Sequence, residues 1–211
     1  MRLRFPGHEG VRVVDGVPEG WERGTVGDFY STGSGGTPRR SNPAFYAGTI
    51  PWVKTKELTG TFILDTEEHI TEEAIVCSSA QIFSCHSVVV AMYGATVGQT
   101  AIMSLPAATN QACCVVTPLR QATSYAYAYL FFCHHRADLV GLSQGAAQRN
   151  ISQQAVRSFP MQVPKTSILE QFGRTVTPLL QQVELLEKCR VVLGQSRDLL
   201  LPRLMKGEIE V

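Results

Sequence analysis

The stretch that decides the organisation of the chain is Thr177–Leu200, TPLLQQVELLEKCRVVLGQSRDLL. Thr177-Pro178 is a favourable pair for the cap and the first position of a helix. At about 1.5 Å per residue, a helix from Pro178 to Leu200 would be roughly 33 Å long. We expect it to stop before Pro202, because a residue that precedes proline disfavours helical geometry.

Apolar side chains recur through this tail in steps of three and four. Ten such positions run from residue 169 to residue 200, and eight of them are apolar. The eight are Leu169, Phe172, Val176, Leu179, Val183, Leu186, Leu193 and Leu200, with Arg190 and Arg197 at the other two. Ser167 can cap a first, shorter helix through Val176, before the longer one. The spacing is that of a coiled-coil seam and favours pairing with another helix; packing against the chain's own domain is the alternative.

The preceding 165 residues are typical of short strands with few helices. Ser87–Met92 predicts a buried strand, Thr100–Met103 a second and Cys113–Val116 a third, whereas Tyr125–Leu142 predicts a helix. The sequence therefore predicts an α+β fold, with a globular domain over 1–165 and a helical region over 166–211.

Local signals add detail to this domain. Gly48–Val53 indicates a strand in which Pro51 must lie at the start or on an edge. Thr71 is a candidate N-cap for a helix that begins with two acids. The glycine-rich segment Ser31–Pro38 predicts a flexible loop in which positive φ angles are inexpensive.

Composition excludes several classes of protein. A hydrophobic content of 44% is enough to form a buried core. The sequence contains no run of about eighteen apolar residues, the length that a membrane-spanning helix needs. The N-terminal MRLRFPGHEG lacks the apolar centre of a signal peptide, so we expect a cytoplasmic protein. We expect the six cysteines to be free, mostly buried thiols. Cys85-His86 and Cys133-His134-His135 lack zinc-ligand spacing, so we expect no metal site.

Charge is unevenly distributed although the net charge is only +1. Residues 1–60 carry 8 basic and 6 acidic side chains, 61–119 carry no Lys or Arg and 5 acids, 120–165 carry 5 basic and 1 acidic, and 166–211 carry 6 of each. A protein that binds the DNA backbone unaided is usually strongly basic. A protein that reads DNA alone would be poorly served by this distribution, whereas one that reads bases while a partner holds the backbone could manage with it.

The constellations of common enzymes are missing. The segment Gly33–Thr37 lacks the GK[ST] ending of a phosphate-binding loop, and no GxSxG or HExxH occurs. Asn42-Pro43-Ala44-Phe45 lacks the second proline of the adenine-methyltransferase motif and predicts a turn. The acids Glu67, Glu68, Glu72 and Glu73 are interpreted as a solvated face rather than an acid/base pair. We expect the chain alone to be non-catalytic.

Five blocks, in order along the chain, resemble the specificity subunits of Type I restriction-modification systems. They are Gly36-Thr37-Pro38 with Tyr46–Val53; Ile70–Ala74; Tyr93–Gly98 with Ala108–Cys113; Gly145–Ser152; and Arg197–Met205 with Gly207–Ile209. Met1–Gly10 resembles the stretch that follows the first spacer helix of full-length members. The resemblance covers nearly all 211 residues and implies one target-recognition domain and one spacer helix.

The resemblance also implies partners. In this family two recognition domains lie at opposite ends of an antiparallel pair of spacer helices, and each reads half of a split target in double-stranded DNA. Methyltransferase subunits, which carry S-adenosylmethionine, flank the pair, with restriction subunits where restriction accompanies modification. The resemblance implies that this chain corresponds to a C-terminal half, so we expect a homodimer or a second specificity half as partner. A natural half-subunit, a truncated gene product and an expressed fragment all remain open.

Candidate DNA-contacting residues follow from chemistry, because Arg and Lys pair with guanine, and Asn and Gln with adenine. A fixed motif cannot specify a variable target, so Asn110-Gln111 and Gln148–Asn150 are expected mainly to brace loops or touch the backbone. The candidates for DNA contact, from both the less patterned stretches and the blocks, are Arg39, Arg40, Lys54, Thr55, Lys56, Ser79, Gln81, Tyr93, Thr96, Gln148 and Arg149. The alternative for the arginines and lysines is a solvated surface.

Two rival functions remain. A coiled-coil interaction protein with a protein-binding globular head agrees with the weak net charge but leaves the five blocks unexplained. An enzyme on a new α+β fold is disfavoured by the missing motifs.

Overall fold

The computed structural model of the chain describes residues 10–14, 16–119, 124–143 and 150–208. The strands are β1 Val13–Val14, β2 Val17–Pro18, β3 Glu22–Thr25, β4 Tyr30–Ser34, β5 Ile50–Val53, β6 Phe62–Ile63, β7 His69–Ile70, β8 Ile82–Phe83, β9 Val88–Ala91, β10 Thr100–Met103, β11 Ala107–Thr109, β12 Cys113–Pro118 and β13 Pro160–Val163. The α-helices are α1 Val26–Phe29, α2 Glu72–Val76, α3 Tyr125–His134, α4 Arg136–Gly141, α5 Gln153–Arg157 and α6 Thr166–Met205. Short 3-10 turns cover Pro43–Tyr46, Thr55–Glu57 and Gly94–Thr96. The predicted α+β class with a long C-terminal helix is confirmed.

The centre of the domain is a five-stranded sheet in the order β4-β12-β9-β10-β6. All four residues of β9 are fully buried, and they alternate between two different cores. Val88 and Val90 point to one core, whereas Val89 and Ala91 point to the other. Because successive side chains of a strand face opposite sides, the sheet must be covered on both faces.

Helices cover the first face. The core on that side joins Val88, Val90 and Ile102 of the sheet to Phe132 of α3 and Leu169 of α6. Leu139 of α4 is buried in the same cluster. The predicted helix Tyr125–Leu142 is thus two helices, α3 and α4.

A second sheet covers the other face, in the order β7-β5-β11-β8. Val53 of β5 joins the core between the sheets, whereas Trp52 and Ile70 belong to a third cluster on the far side of β5. Pro51 pairs only with His69 of β7, because the pairing of β5 with β11 begins at Trp52. The predicted position of Pro51 near the strand start is confirmed, although β5 itself is an inner strand.

The helix start at Thr71 is also confirmed. Its hydroxyl accepts a hydrogen bond from the backbone N–H of Ala74, at 3.1 Å, and α2 follows directly. Glu72 and Glu73 occupy the first turn, where the helix dipole favours negative charge.

The tail is one continuous helix of 40 residues, Thr166–Met205, with Pro178 and Pro202 inside it. The predicted division at Thr177-Pro178 and the predicted stop before Pro202 are therefore wrong. An interior proline removes one backbone hydrogen bond and costs about 3 kcal/mol. At Pro178 this cost is offset because Val176 and Leu180, on either side, pack on the same core.

The predicted seam divides into two sets. Leu169 is buried, and Phe172, Val176 and Val183 are partly buried against the domain core, together with Leu180. Leu179, Leu186, Leu193 and Leu200 are exposed. The expectation that all eight positions would seek another helix is wrong for the first set, because the sheet and α3 offer an apolar surface along the first half of α6.

Two acids fix α6 to the sheet. The Glu187 carboxylate accepts hydrogen bonds from the backbone N–H groups of Thr61 and Phe62, at 3.3 and 3.2 Å. Glu184 accepts from the Ser104 hydroxyl and from Lys188, the latter at 2.6 Å. On a paired helix, the seam arginines Arg190 and Arg197 would seek acids such as these, but both acids are already engaged within the chain. Arg197 pairs with its neighbour Asp198.

The cysteines are free thiols, as expected, but most are not buried. Cys113 and Cys114 lie in the core, where burial raises the thiol pKa of each, that of Cys114 to about 12. Cys77, Cys85, Cys133 and Cys189 are exposed. The expectation of mostly buried thiols is wrong because these four lie in short turns or on outer helix faces. Within the described ranges, no group of three or more His, Cys, Asp or Glu side chains is placed to hold a metal ion.

Leu179 and Leu180 test the anchoring of α6, since they are adjacent and have the same helix propensity. Leu180→Ala removes a buried side chain and should lower the free energy of unfolding by about 2–5 kcal/mol. Leu179→Ala removes an exposed one and should change it by less than about 0.5 kcal/mol. Urea unfolding at low protein concentration measures both. Equal losses would show that the first half of α6 does not pack as described.

Candidate nucleic-acid interface

Strand register brings several loops to one end of the central sheet. Cys114 of β12 pairs with Ser34 at the end of β4, and Cys113 pairs with Ala91 at the end of β9. The segments that follow β4 and β9 and the one that precedes β12 therefore leave the sheet at the same end. We call this surface, formed by residues 33–40, 79–81, 93–98, 110–112 and 150–152, the loop end.

Hydrogen bonds tie these loops together. Gln111 accepts from the Thr37 hydroxyl at 2.6 Å, and its backbone carbonyl accepts from the Ser34 hydroxyl at 3.2 Å. Gln81 donates to the Ser34 carbonyl at 2.8 Å. Asn110 accepts from the backbone N–H of Ala112. The Asn110-Gln111 pair thus braces loops in this structure.

The closing block reaches the same end. Ile151 donates its backbone N–H to the Met92 carbonyl at 2.9 Å, and Tyr93 forms a β-bridge with Asn150. Thr96 donates its hydroxyl to the Tyr93 carbonyl at 3.2 Å. Gln148 and Arg149, which were expected at the DNA, lie outside the described residues, as do Ile209 and the Met1–Glu9 segment.

Glycines allow the loops to pack backbone to backbone. A Cβ on Gly35 would lie 1.9 Å from the Thr109 carbonyl oxygen, and one on Gly36 would lie 2.0 Å from the Ser79 hydroxyl. Residues 31–34 are part of β4, not of the predicted flexible loop, and positive φ angles are not what these glycines provide. Their role is close approach, which any side chain would prevent.

Arg40, Lys54 and Glu68 form an ion cluster beside the loop end. The two terminal nitrogens of Arg40 donate to the two carboxylate oxygens of Glu68, at 2.6 and 2.9 Å, and Lys54 donates to one of those oxygens. The hydrogen bonds from Arg40 and then from Lys54 lower the pKa of Glu68 to about 2 and thus keep it ionised. Glu68 is therefore half-buried and paired, which corrects its interpretation as part of a solvated face.

Two aromatic rings hold the Arg40 guanidinium. Its central carbon lies 4.2 Å from the Tyr46 ring centroid and 5.0 Å from that of Trp52. Trp52 is itself fixed, since its indole N–H donates to the Gly36 carbonyl at 3.1 Å. Tyr46 donates to the Pro38 carbonyl at 2.7 Å. The cluster thereby connects the opening loop to β5.

The other predicted cations differ in their surroundings. Lys56 pairs with Glu67, and both side chains are exposed. Thr55 begins the 3-10 turn and is half-buried. Arg39 is exposed, and within the described ranges no salt bridge involves it. Ser79 and Gln81 pack against Gly36 and β4. The structure therefore gathers Arg39, Arg40, Lys54, Ser79, Gln81, Tyr93 and Thr96 at or beside the loop end, with Thr55 and Lys56 at its margin.

Sequence reasoning did not identify Glu68, Tyr46 or Trp52 as partners of the predicted cations. Lys54 and Glu68 are separated by 14 residues and Arg40 and Glu68 by 28, so no helical or strand period connects them. The signal that could have identified them is chemical: the two arginines nearest the acid-rich segment lack local acids.

Comparison with known proteins identifies the family of the chain. The sequence profile described as the Type I restriction modification DNA specificity domain matches residues 18–193. The chain belongs to this family. It is 30% identical over 200 residues to the Type I restriction enzyme HindI specificity subunit of Haemophilus influenzae, across 92% of this chain and 42% of that protein. It is 26% identical over 152 residues to the EcoR124I/EcoR124II specificity subunit of Escherichia coli, across 70% of this chain and 37% of that protein.

Solved structures of specificity subunits share the fold. The S subunit of a Type I restriction-modification system from M. genitalium superimposes with a TM-score of 0.63 at 12% identity, over 97% of this chain and 47% of that one. The HsdS subunit from Thermoanaerobacter tengcongensis gives 0.59 at 17% identity, over 97% and 48%. The chain spans less than half the length of these specificity subunits. No helix in the described part of the chain is sufficiently long and apolar to cross a membrane.

Gly35 tests the packing of the loop end. Gly35→Ala places a methyl group against the Thr109 backbone and should lower the free energy of unfolding by about 1–3 kcal/mol. Gly173→Ala is the control, because nothing lies within 4 Å of its Cβ position in α6, and alanine there should stabilise the chain by roughly 0.5–1 kcal/mol. Thermal unfolding of both variants checks the pair. A neutral Gly35→Ala would contradict the described approach of the two backbones.

Proposed function

We propose that this chain recognises one part of a DNA target for methyltransferase subunits and catalyses no reaction itself. Membership of the specificity family supports the proposal. The observation that carries it is the convergence of separate sequence blocks, through Ser34–Cys114 and Ala91–Cys113 pairing, at one end of the central sheet. Loops on a rigid scaffold are the usual location of binding residues.

The loop end offers two kinds of group to DNA. Arg39 is an exposed cation with five donors that suit a phosphate or a guanine edge. Ser79, Gln81 and Tyr93 are exposed groups of the same loop end that can contact bases or the backbone. The glycine contacts at Gly35 and Gly36 are framework, so the framework and the reading residues are different sets, as a family with variable targets requires.

The proposed partners supply what this chain lacks. A net charge of +1 leaves little general attraction for phosphates, which a methyltransferase that grips the backbone would provide. S-adenosylmethionine would be bound by that methyltransferase, and restriction subunits would join where restriction accompanies modification. Such a complex would work in the cytoplasm, where its DNA is.

A selection experiment tests the proposed function. The chain with its methyltransferase should enrich one sequence from a random duplex library, and binding should weaken steeply with salt. Replacing Arg39 and Arg40 together by Ala should weaken target binding at least roughly tenfold. Arg174→Ala removes an exposed charge of α6 that pairs with Glu170 one turn away and belongs to none of the loop-end segments, so it should leave affinity unchanged. Unchanged affinity for the double variant would place that loop away from DNA, and enrichment of no sequence would favour a protein-binding head.

We further propose that α6 pairs with a second helix through its free face. Leu185 and Leu186, Val192 and Leu193, and Leu199 and Leu200 form exposed doublets seven residues apart. On an ideal helix with about 100° per residue, this face lies roughly opposite the one that packs on the domain. Burying a leucine contributes about 1.5–3 kcal/mol, so several exposed ones favour association strongly.

The partner helix would belong to a second copy or to a second specificity half. An antiparallel arrangement would carry the two recognition domains to opposite ends, which suits a split target with a fixed spacer. In a homodimer the two-fold axis requires a palindromic split target, because both domains read the same bases.

Light scattering tests the pairing. The wild type should be dimeric at tens of micromolar, roughly the range for weak dimers, and Leu186→Asp with Leu193→Asp should be monomeric. Val76→Asp is the matched control, since Val76 is exposed on α2, far along the chain from the free face, and it should leave the dimer intact. A monomeric wild type would exclude the homodimer and leave the second specificity half as partner.

A further inference from the structure

Glu68 occupies the two terminal nitrogens of Arg40, the donors best suited to bind a phosphate or a guanine edge. Both terminal nitrogens of Arg40 point their inner hydrogens at the two Glu68 oxygens, at 2.6 and 2.9 Å. This is the end-on fork, the same geometry with which arginine grips a phosphate or a guanine edge. Of the five donors of a guanidinium, three remain, along the sides of the group.

The aromatic rings prevent Arg40 from turning away. Tyr46 and Trp52 contact the guanidinium at 4.2 and 5.0 Å, and they pack edge to face with each other at 5.8 Å. Trp52 is fully buried, so this support is rigid. The Arg40 side chain is still 52% exposed, and its free side donors can therefore reach a ligand.

Lys54 is held by the same carboxylate but is less accessible. Its side chain is only 16% exposed, compared with 29% for Glu68, and its ammonium lies 5.5 Å from the Trp52 ring centroid. One carboxylate thus neutralises part of the charge of two cations beside the loop end.

We propose that Glu68 is a positioning residue that sets DNA specificity: it competes with phosphates for the accessible Arg40 and presents only the side donors of Arg40 to DNA. This rests on the proposed DNA-recognition function. A non-target duplex offers mainly phosphates, which must displace the carboxylate to use the end-on fork. A target duplex also offers base edges, which Arg40 can contact through its side donors while its end-on pair with Glu68 stays intact. Glu68 therefore weakens non-target binding more than target binding.

Glu68→Gln tests this, because the amide keeps the shape and one acceptor but loses the charge. Glu67→Gln is the matched control, since it removes the same charge one residue away, from an exposed pair with Lys56. Affinity of the full chain for poly(dI-dC) duplex is measured as a function of salt. Glu68→Gln should tighten this binding about threefold to fivefold beyond the control and steepen the salt slope by about 0.9, as one further phosphate is contacted.

The target duplex recovered by selection with the methyltransferase gives the second readout. Its affinity should stay the same or fall in Glu68→Gln, so the ratio of target to non-target affinity should fall by at least about threefold. In an Arg40→Ala background, Glu68→Gln should have no more effect on this ratio than Glu67→Gln has.

Arg40→Lys provides a test that leaves Glu68 in place. It keeps the charge but cannot form the end-on pair with both oxygens, so the ratio should also fall. This variant decides the matter if Glu68→Gln unfolds.

Three outcomes would overturn the proposal. The first is an equal effect of Glu68→Gln and Glu67→Gln on the salt slope of poly(dI-dC) binding. The others are an effect of Glu68→Gln on the ratio of target to non-target affinity that persists in the Arg40→Ala background, and an unchanged ratio in Arg40→Lys. A wild type that selects no sequence overturns the proposed function instead, and the comparison of salt slopes still decides whether Glu68 competes with phosphate.

Discussion

The constraint on which the rest of the fold depends is that the central sheet is apolar on both faces. Val88–Ala91 and Cys113–Val116 alternate between two cores, and every one of these side chains is buried. Leaving either face in water would expose several valines, each worth about 1.5–3 kcal/mol. One face is covered by α3 and the first half of α6, and the other by the second sheet. The loop end exists because these layers fix where each strand stops.

Elements with a strong local signal were predictable. Thr100–Met103 matches its predicted bounds, and α2 begins after Thr71 with the predicted side-chain cap. In these cases the residues that decide the structure are close in sequence. The position of Pro51 near its strand start follows from the missing N–H alone.

Features that depend on distant partners were not predictable. Residues 31–34 form a strand because β12 lies beside them, and glycine content alone does not indicate that neighbour. The spacing of Leu169 to Leu200 correctly indicates a helix with an apolar seam, but the period cannot say which side chains the domain covers. Glu68 could not be assigned to Arg40 because 28 residues separate them and only the folded chain brings them together.

The continuity of α6 through Pro178 has a geometric consequence for how such a chain can change in evolution. The face of α6 that packs on the domain and the free face lie on one continuous helix, so the angle between them depends on the number of residues that separate them. Inserting one residue just beyond Glu187 would move the part of the free face formed by Val192, Leu193, Leu199 and Leu200 by about 1.5 Å and rotate it by about 100°. Inserting seven would add about 10.5 Å but return the face to within about 20° of its original bearing. The distance between the recognition domain and whatever α6 pairs with can therefore vary only in steps of nearly whole turns.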